Sequence, residues 1–368
     1  MPRQIPTDYD VIVVGAGIAG LAAAVEASAA GASVLVVEGQ DKIGGSSFLS
    51  GGIIMAAGTN VQRRAGIDDT AEALLRDYLL FTQHTVQPGI ARQLARGSGP
   101  AVDWLCEMGV EFYDDLVFAA EEPVPRSHVT RRGGRGIVRT LAAQLDRRPA
   151  VDIALGKRID RLLWSDGRVR GVAADDDEAR ANAVVITMGG FGANPSLWPS
   201  HLPQLSRSGS AGWYIGSDGA QGDFFRLGAQ VDAAVAGHRR ALTLATPGFS
   251  TRLEVYFPGW LVMVDREGAR RVDESTSYAV MELAHRHHGP LFAVFDDAAR
   301  RAASPGLAPR YKQTIPGMPL TGVESNWTTP VIDDMVAAGR VMRAPTLEDL
   351  GRLLGIDPAS LSATISRY

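Results

Sequence analysis

The stretch Asp10-Val11-Ile12-Val13-Val14-Gly15-Ala16-Gly17-Ile18-Ala19-Gly20 decides the fold of this chain. Four consecutive β-branched residues, Val11 to Val14, read as a buried parallel strand. They run directly into Gly15-x-Gly17-x-x-Gly20 and then into an alanine-rich helix expected from Ile18 to about Ala30, closed by Gly31. In that layout Gly15 permits the tight turn and Gly17 lets backbone approach a pyrophosphate. Gly20 lets the helix pack on the strand, and the helix N-terminus, with Ile18 and Ala19, presents N–H groups to the phosphates. Ser33 to Val37 reads as the next parallel strand, ending in Glu38. That position suits an acid that holds the two ribose hydroxyls of a dinucleotide.

The residues beyond Glu38 favour a flavin dinucleotide over a nicotinamide one. Gly39 leads into Gly44-Gly45-Ser46-Ser47 and, past Phe48-Leu49, into Ser50-Gly51-Gly52. So few bulky side chains leave a path close beneath a cofactor. A third cluster follows an apolar strand: Ala183 to Ile186 breaks into Thr187-Met188-Gly189-Gly190-Phe191-Gly192, suited to bring the chain back beside the first turn. The expected FAD contacts are Gly15, Gly17, Ile18, Ala19, Gly20, Glu38, Gly39, Gly44, Gly45, Ser46, Ser47, Ser50, Gly51, Gly52 and Thr187 to Gly190, with Asp218 added from the later Gly216–Ala229 stretch.

Composition suits an enzyme with more than one core. The chain has 368 residues, 45% hydrophobic and 21% charged, which suggests two domains. A net charge of −4 gives no nucleic-acid bias. No run approaches a membrane span and the N-terminal MPRQIPTDYD lacks a secretory core, so a cytoplasmic location is the default expectation. The single cysteine, Cys106, excludes an intramolecular disulfide and is expected to be buried in a helix.

Periodicity predicts helices over Thr70–Phe81, Gly89–Gly97, Pro100–Met108 and Phe224–Gly228, and strands over Val151–Leu155, Ile159–Trp164 and Val169–Ala174. Trp260–Val264 and Ala269–Val272 read as hairpin strands around Asp265-Arg266-Glu267-Gly268. Asp175-Asp176-Asp177-Glu178 reads as a solvated hairpin tip. His285, His287 and His288 fall at a helix end, where cationic groups suit the dipole and no metal site is expected. Asp357-Pro358 opens a helix whose Leu361, Ile365 and Tyr368 share a face, with no stop signal.

The chain resembles the flavoprotein family that contains fumarate reductase, succinate dehydrogenase flavoprotein subunits, urocanate reductase and the 3-ketosteroid dehydrogenases. The resemblance runs from Asp10 to Tyr368. It is carried by GAGIAG, VVEGQDKIGGSSFLSGG, ITMGGFGANPSLW, GSDGAQGDFFRLGA, LVMVDREGARRVDE and FAVFDDAAR. It implies an α/β fold, a Rossmann-like FAD-binding domain of glutathione-reductase type over residues 1–235. An inserted α+β cap is implied over residues 236–368. It also implies that the family pattern continues past Tyr368, with a glycine-rich turn contacting the flavin. A catalytically incomplete FAD-binding fragment or partner subunit is therefore an alternative to an active enzyme.

The resemblance further implies oxidoreduction of a carbon–carbon bond next to a carbonyl, with an electron acceptor or donor as partner. Four residues past Glu274 the fumarate reductases carry a proton-donating arginine; this chain has Tyr278, as the ketosteroid dehydrogenases do. A phenol titrates near 10, so proton abstraction there requires a stabilised phenolate or a hydroxyl relay. An aromatic anchor for the helix is the alternative. Tyr113 is the candidate second phenol. His128, before the Gly133-Gly134-Arg135-Gly136 turn, is a further catalytic candidate or else an exposed loop histidine, and His238 lies near a carboxylate-binding position of the family. The expected substrate is a ketosteroid-like or cyclic ketone, with a fumarate- or urocanate-type enoate as the alternative. No histidine lies between Ser46 and Ser50, where succinate dehydrogenases attach FAD, so noncovalent FAD is expected.

Overall fold

The β-branched run does form the centre of the sheet. In the computed structural model, which describes residues 8–118, 122–203, 213–237, 241–244, 257–258, 260–274, 276, 278–302 and 327–368, it is β1 (Tyr9–Val14). Seven more strands follow in the same unit: β2 (Val34–Val37), β3 (Ile53–Met55), β4 (Ser127–Val129), β5 (Val151–Ala154), β6 (Arg161–Ser165), β7 (Arg168–Ala174) and β8 (Asp177–Ile186). Six of them make one sheet in the order β5-β2-β1-β8-β7-β6, while β3 and β4 pair separately. β5, β2, β1 and the second half of β8 run parallel, with Val14 opposite both Val37 and Ile186. The first half of β8 pairs antiparallel with β7, and β7 with β6. The C-terminal end of β1, flanked by β2 on one side and β8 on the other, is thus the point where the strand order reverses and where such sheets bind ligands.

The helices of this unit are α1 (Ile18–Ala29), α2 (Gly45–Leu49), α3 (Asn60–Arg64), α4 (Ala71–Phe81), α5 (Pro88–Glu107) and α6 (Gly133–Leu145), with short segments after β8 that include Asp223–Ala229. α1 presents Leu21, Ala24 and Val25 to Val13, Val34 and Val36, and α6 adds Ile137, Val138 and Leu141 to the same core. Each fully buried Leu, Ile or Val contributes about 1.5–3 kcal/mol. On the other sheet face Ile12, Val14 and Val172 pack with Leu227.

Several elements differ from the sequence expectation. The two helices expected on either side of Gly97-Ser98-Gly99 are one, α5, with Pro100 inside it. The small residues before the proline allow that continuity, and Gly99 packs directly on backbone, since a Cβ there would lie 2.4 Å from the Ala57 carbonyl oxygen. Cys106 is exposed on α5, not buried; the inward positions of that turn are Val102 and Leu105. The tip between β7 and β8 is only Asp175-Asp176, with Asp175 in the left-handed region at φ 52°. Asp177 and Glu178 belong to β8 and bind Lys157 and Arg161.

The second unit holds the described residues from 241 onward, together with residues 118, 202–203 and 213. Here β9 (Val262–Val264) pairs antiparallel with β10 (Phe292–Val294), not with Ala269–Val272. The expected second hairpin strand is reduced to a single bridge between Val264 and Arg270. Side chains explain it: Arg270 turns to Glu274 and Arg271 to Asp265, which draws the chain out of the ladder. The helix Pro358–Arg367 is capped by Asp357, whose carboxylate accepts from Ser360 N at 2.8 Å, and Leu361 is buried against Val262 and Val264.

Candidate functional site

The turn after β1 has the geometry its glycines require. Gly15 sits at φ 105°, which a side-chain-bearing residue rarely adopts. A Cβ at Gly20 would lie 1.9 Å from the Gly15 carbonyl oxygen and 2.7 Å from Thr187 Oγ1, so the close crossing of α1 over the turn depends on that glycine. Thr187 tightens the same crossing by donating its hydroxyl to the carbonyls of Val14 and Gly15. Gly17 caps α1 with no side-chain acceptor. Among the described residues the N–H groups of Gly17, Ala19 and Gly20 meet no acceptor, while Ile18 N donates to Ser47 Oγ at 3.1 Å. Unsatisfied N–H groups at the positive end of a twelve-residue helix are suited to a phosphate.

Glu38 lies beside this turn and is fixed by it. One carboxylate oxygen accepts from Ala16 N at 2.8 Å and the other from Gln40 N at 2.9 Å. Each oxygen keeps a free lone pair, so the group can still accept two hydroxyls. Gly39 follows it, packed against Arg158.

The second glycine cluster divides its work. Gly44-Gly45-Ser46-Ser47 enters the short helix α2, which brings Ser47 against the start of α1 and Ser46 against Ser217 N at 3.0 Å. Ser50, Gly51 and Gly52 also serve the packing of α6. Gly134 N donates to Ser50 O, and a Cβ at Gly52 would lie 2.2 Å from Thr130 Oγ1. In the third cluster Gly189, at φ 78°, and Gly190 are exposed beyond β8, and Met188 packs on the core below. Asp218 is exposed, with its carbonyl held by Gln221 Nε2 at 2.7 Å. The sequence reading missed Tyr214, which reaches Ser46; the only signal for it was an aromatic residue two positions before Gly216. The donor set of this cradle, backbone N–H groups, serine hydroxyls and one paired-acceptor acid, fits the pyrophosphate and ribose of a dinucleotide.

The catalytic candidates are scattered. His128 is fully buried on β4, which corrects the exposed-loop reading: the strand pairs with β3, and the ring lies between the two backbones. Its Nδ1 faces the carbonyls of Arg126 at 2.8 Å and Ile54 at 3.3 Å, so it carries the proton, and Nε2 accepts from the Thr59 hydroxyl at 2.8 Å. Burial pushes its pKa below the ordinary 6.5, and neither nitrogen is left for a substrate. Tyr113 is half-buried under the Arg131 guanidinium, 4.7 Å above its ring centre. Tyr278 is the first residue of the helix Tyr278–His288; its side chain lies outside the described residues, as does His238.

The segment leading to Tyr278 is anchored by its acids. Glu274 is buried and accepts from Met263 N at 2.7 Å and from Arg270 through both oxygens. Burial alone would raise the Asp265 carboxyl, but Arg271 and the turn N–H groups outweigh it and hold it below the usual carboxylate range. The imidazoles of the 285–288 run lie in the last turn of the same helix.

Residues 10–365 match the FAD binding domain family. The chain belongs to that family, and FAD is its cofactor. Within it the chain is 27% identical to a fumarate reductase (cytochrome) of Shewanella frigidimarina, over 98% of this chain and 60% of the relative. An NADH:fumarate oxidoreductase of Klebsiella pneumoniae is 26% identical over 99% of this chain and 37% of its own length. A KsdD-like steroid dehydrogenase of Mycolicibacterium smegmatis is 33% identical, over 54% of this chain and 44% of the relative. The chain thus spans well under two thirds of the length of these relatives. The fold is that of the 3-ketosteroid-delta4-(5alpha)-dehydrogenase from Rhodococcus jostii, with a TM-score of 0.71 at 23% identity, covering 100% of this chain and 78% of that one. No helix among the described residues is long and apolar enough to cross a membrane.

Proposed function

We propose that this chain is the FAD-binding, proton-transferring part of an oxidoreductase acting on a carbon–carbon bond next to a carbonyl, with a ketosteroid-like or cyclic ketone as substrate. The observation that carries the reading is Tyr278 at the start of a helix, four residues after the anchored Glu274, where the fumarate reductases resembled by this chain have arginine. The KsdD-like relative supports it, with 33% identity over 54% of the chain. Bound FAD supplies a two-electron acceptor for hydride. The chain's own contribution is to hold the dinucleotide by the α1 N-terminus, Glu38 and the Ser46-Ser47 pair, noncovalently, and to take or relay a proton through the Tyr278 phenol. Nothing in this scheme requires a metal.

Anaerobic mixing of the FAD-loaded protein with a 3-ketosteroid tests the reading. Oxidised-flavin absorbance should fall, and Tyr278→Phe should slow that fall by roughly 10²- to 10⁴-fold at unchanged FAD affinity. Undiminished reduction in the variant would return Tyr278 to a packing role. A second reading, an enoate reductase of fumarate or urocanate type, is favoured by the length of the fumarate reductase match, 98% of this chain. Reoxidation of chemically reduced flavin by fumarate, with no reduction by any ketosteroid, would move the assignment there. Acid release of intact FAD checks noncovalent attachment; flavin that stays on the denatured chain would contradict it.

A further inference from the structure

We propose that Tyr214 is a positioning residue for FAD, holding the Ser46 hydroxyl so that its proton is left to donate to an acceptor atom of the cofactor. The inference rests on FAD binding by this chain. Tyr214 Oη lies 3.1 Å from Ser46 Oγ, and Ser217 N donates to the same Ser46 oxygen at 3.0 Å. A serine hydroxyl has one proton and two lone pairs. Geometry allows either hydroxyl to donate across this contact; the phenol, the stronger acid of the two, is taken as the donor and Ser46 as the acceptor. With Ser217 N–H on the other lone pair, both acceptor sites of Ser46 are filled and its own proton meets no acceptor among the described residues.

Two glycines make room for the ring that makes this contact. A Cβ at Gly192 would lie 2.2 Å from the Tyr214 ring, and one at Gly216 would lie 2.2 Å from its hydroxyl. These glycines are therefore needed for the approach of the tyrosine and not only for turning the chain. Gly192 continues the cluster that follows β8, so the ring ties that cluster to the serine pair. The contact extends further: Ser217 Oγ donates to Gln40 Oε1 at 2.8 Å, and Gln40 N donates to Glu38. Next door, one lone pair of the Ser47 oxygen accepts from Ile18 N at 3.1 Å, which leaves its proton available as well. The Ser46 hydroxyl is thus set as a donor, with Ser47 able to donate, beside the unsatisfied N–H groups of α1, an arrangement that favours a ligand rich in acceptors.

The test measures FAD binding by flavin fluorescence for the wild-type chain, Tyr214→Phe, Ser46→Ala and the double variant, alongside thermal melts of the cofactor-free proteins. Phenylalanine keeps the ring between Gly192 and Gly216, so melting should be unchanged while the FAD Kd rises about 3- to 10-fold, the loss of one hydrogen bond. Ser46→Ala should weaken binding by a similar factor. The double variant should be no weaker than the worse single one, because both changes disrupt the same hydrogen bond from Ser46 to the cofactor. Wild-type-like affinity in Tyr214→Phe, or losses that multiply in the double variant, would overturn the proposal. A wild-type chain that binds no FAD would instead sink the cofactor reading on which it rests.

Discussion

Two regions of the first unit handle polar groups in opposite ways. From Gly15 to Gly20 no charged side chain is present; in the proposed FAD cradle recognition falls to backbone N–H groups, with one neighbouring acid and two serines. Between β4 and α3–α5, by contrast, Arg126, His128, Thr59 and Gln62 are all essentially buried and satisfied by one another, together with Asp69 and Asp77. Arg126 grips Asp69 through two hydrogen bonds of 2.7 and 2.8 Å and reaches Asp77 at 2.7 Å. The side chains that look catalytic by type are used to hold the scaffold, and the residues with almost no chemistry of their own form the cradle.

The largest effect should come from the buried cluster. Arg126→Met removes the cation that Asp69 and Asp77 share, leaving Asp69 only its hydrogen bonds from Gln62 and Thr70 and Asp77 only Arg76 at 3.5 Å, at a cost of about 3–5 kcal/mol. Denaturant unfolding should show that loss, while FAD affinity of the folded fraction stays near wild type. A variant of normal stability with weakened FAD binding would break the contrast by placing Arg126 in the cradle.

Gly20→Ala should do the reverse. Its methyl group meets backbone at the α1 crossing, and overpacking of this kind costs about 1–3 kcal/mol, felt as a roughly 10- to 100-fold rise in FAD Kd if the turn gives way. Equal affinity in wild type and variant would show that α1 can shift without disturbing the phosphate turn.

How much of this was legible from the sequence follows the same division. The GAGIAG turn, α1, β2 and Glu38 could be placed because backbone sterics dictate residue type there: only glycine tolerates φ 105° at Gly15 and a carbonyl oxygen at 1.9 Å from a Cβ at Gly20. The roles of Ser50 to Gly52 were not separable, since a glycine that admits a cofactor and one that admits helix α6 read alike. His128 was misplaced because its burial depends on β3, seventy-odd residues earlier, which a local window cannot see. Pro100 was taken as a break because its missing N–H usually ends a helix, whereas here Gly97 to Gly99 absorb it.

Thr59→Ala sharpens the boundary between the two regions at smaller scale. Thr59 caps α3 in a reciprocal box with Gln62 and also donates to His128, so its loss should cost about 1 kcal/mol or somewhat more. A thermal melt at neutral pH would register this as a lowered Tm, with FAD affinity intact. An unchanged Tm would mean that Gln62 alone holds the start of α3.

The smallest effect is a pH dependence centred on His128. In the folded chain burial holds the imidazole neutral to below 6.5, whereas in the unfolded chain it takes up a proton as pH falls through that value. Between the lowered folded pKa and 6.5 the unfolded state therefore binds more protons, so stability is full above 6.5 and declines as pH falls below it, levelling off once the folded pKa is passed. Asp69 acts in a separate window: burial alone would raise its carboxyl, but Arg126 and Gln62 outweigh it and hold it below 3.8, so its contribution persists above 3.8 and is lost only in stronger acid. His128→Asn removes the first titration and leaves the second. Unfolding free energies measured from about pH 5 to pH 7 should slope less steeply in the variant than in the wild type. Parallel slopes would mean that the imidazole titrates alike in the folded and unfolded chains, and would return His128 to the list of groups free to exchange a proton with a substrate.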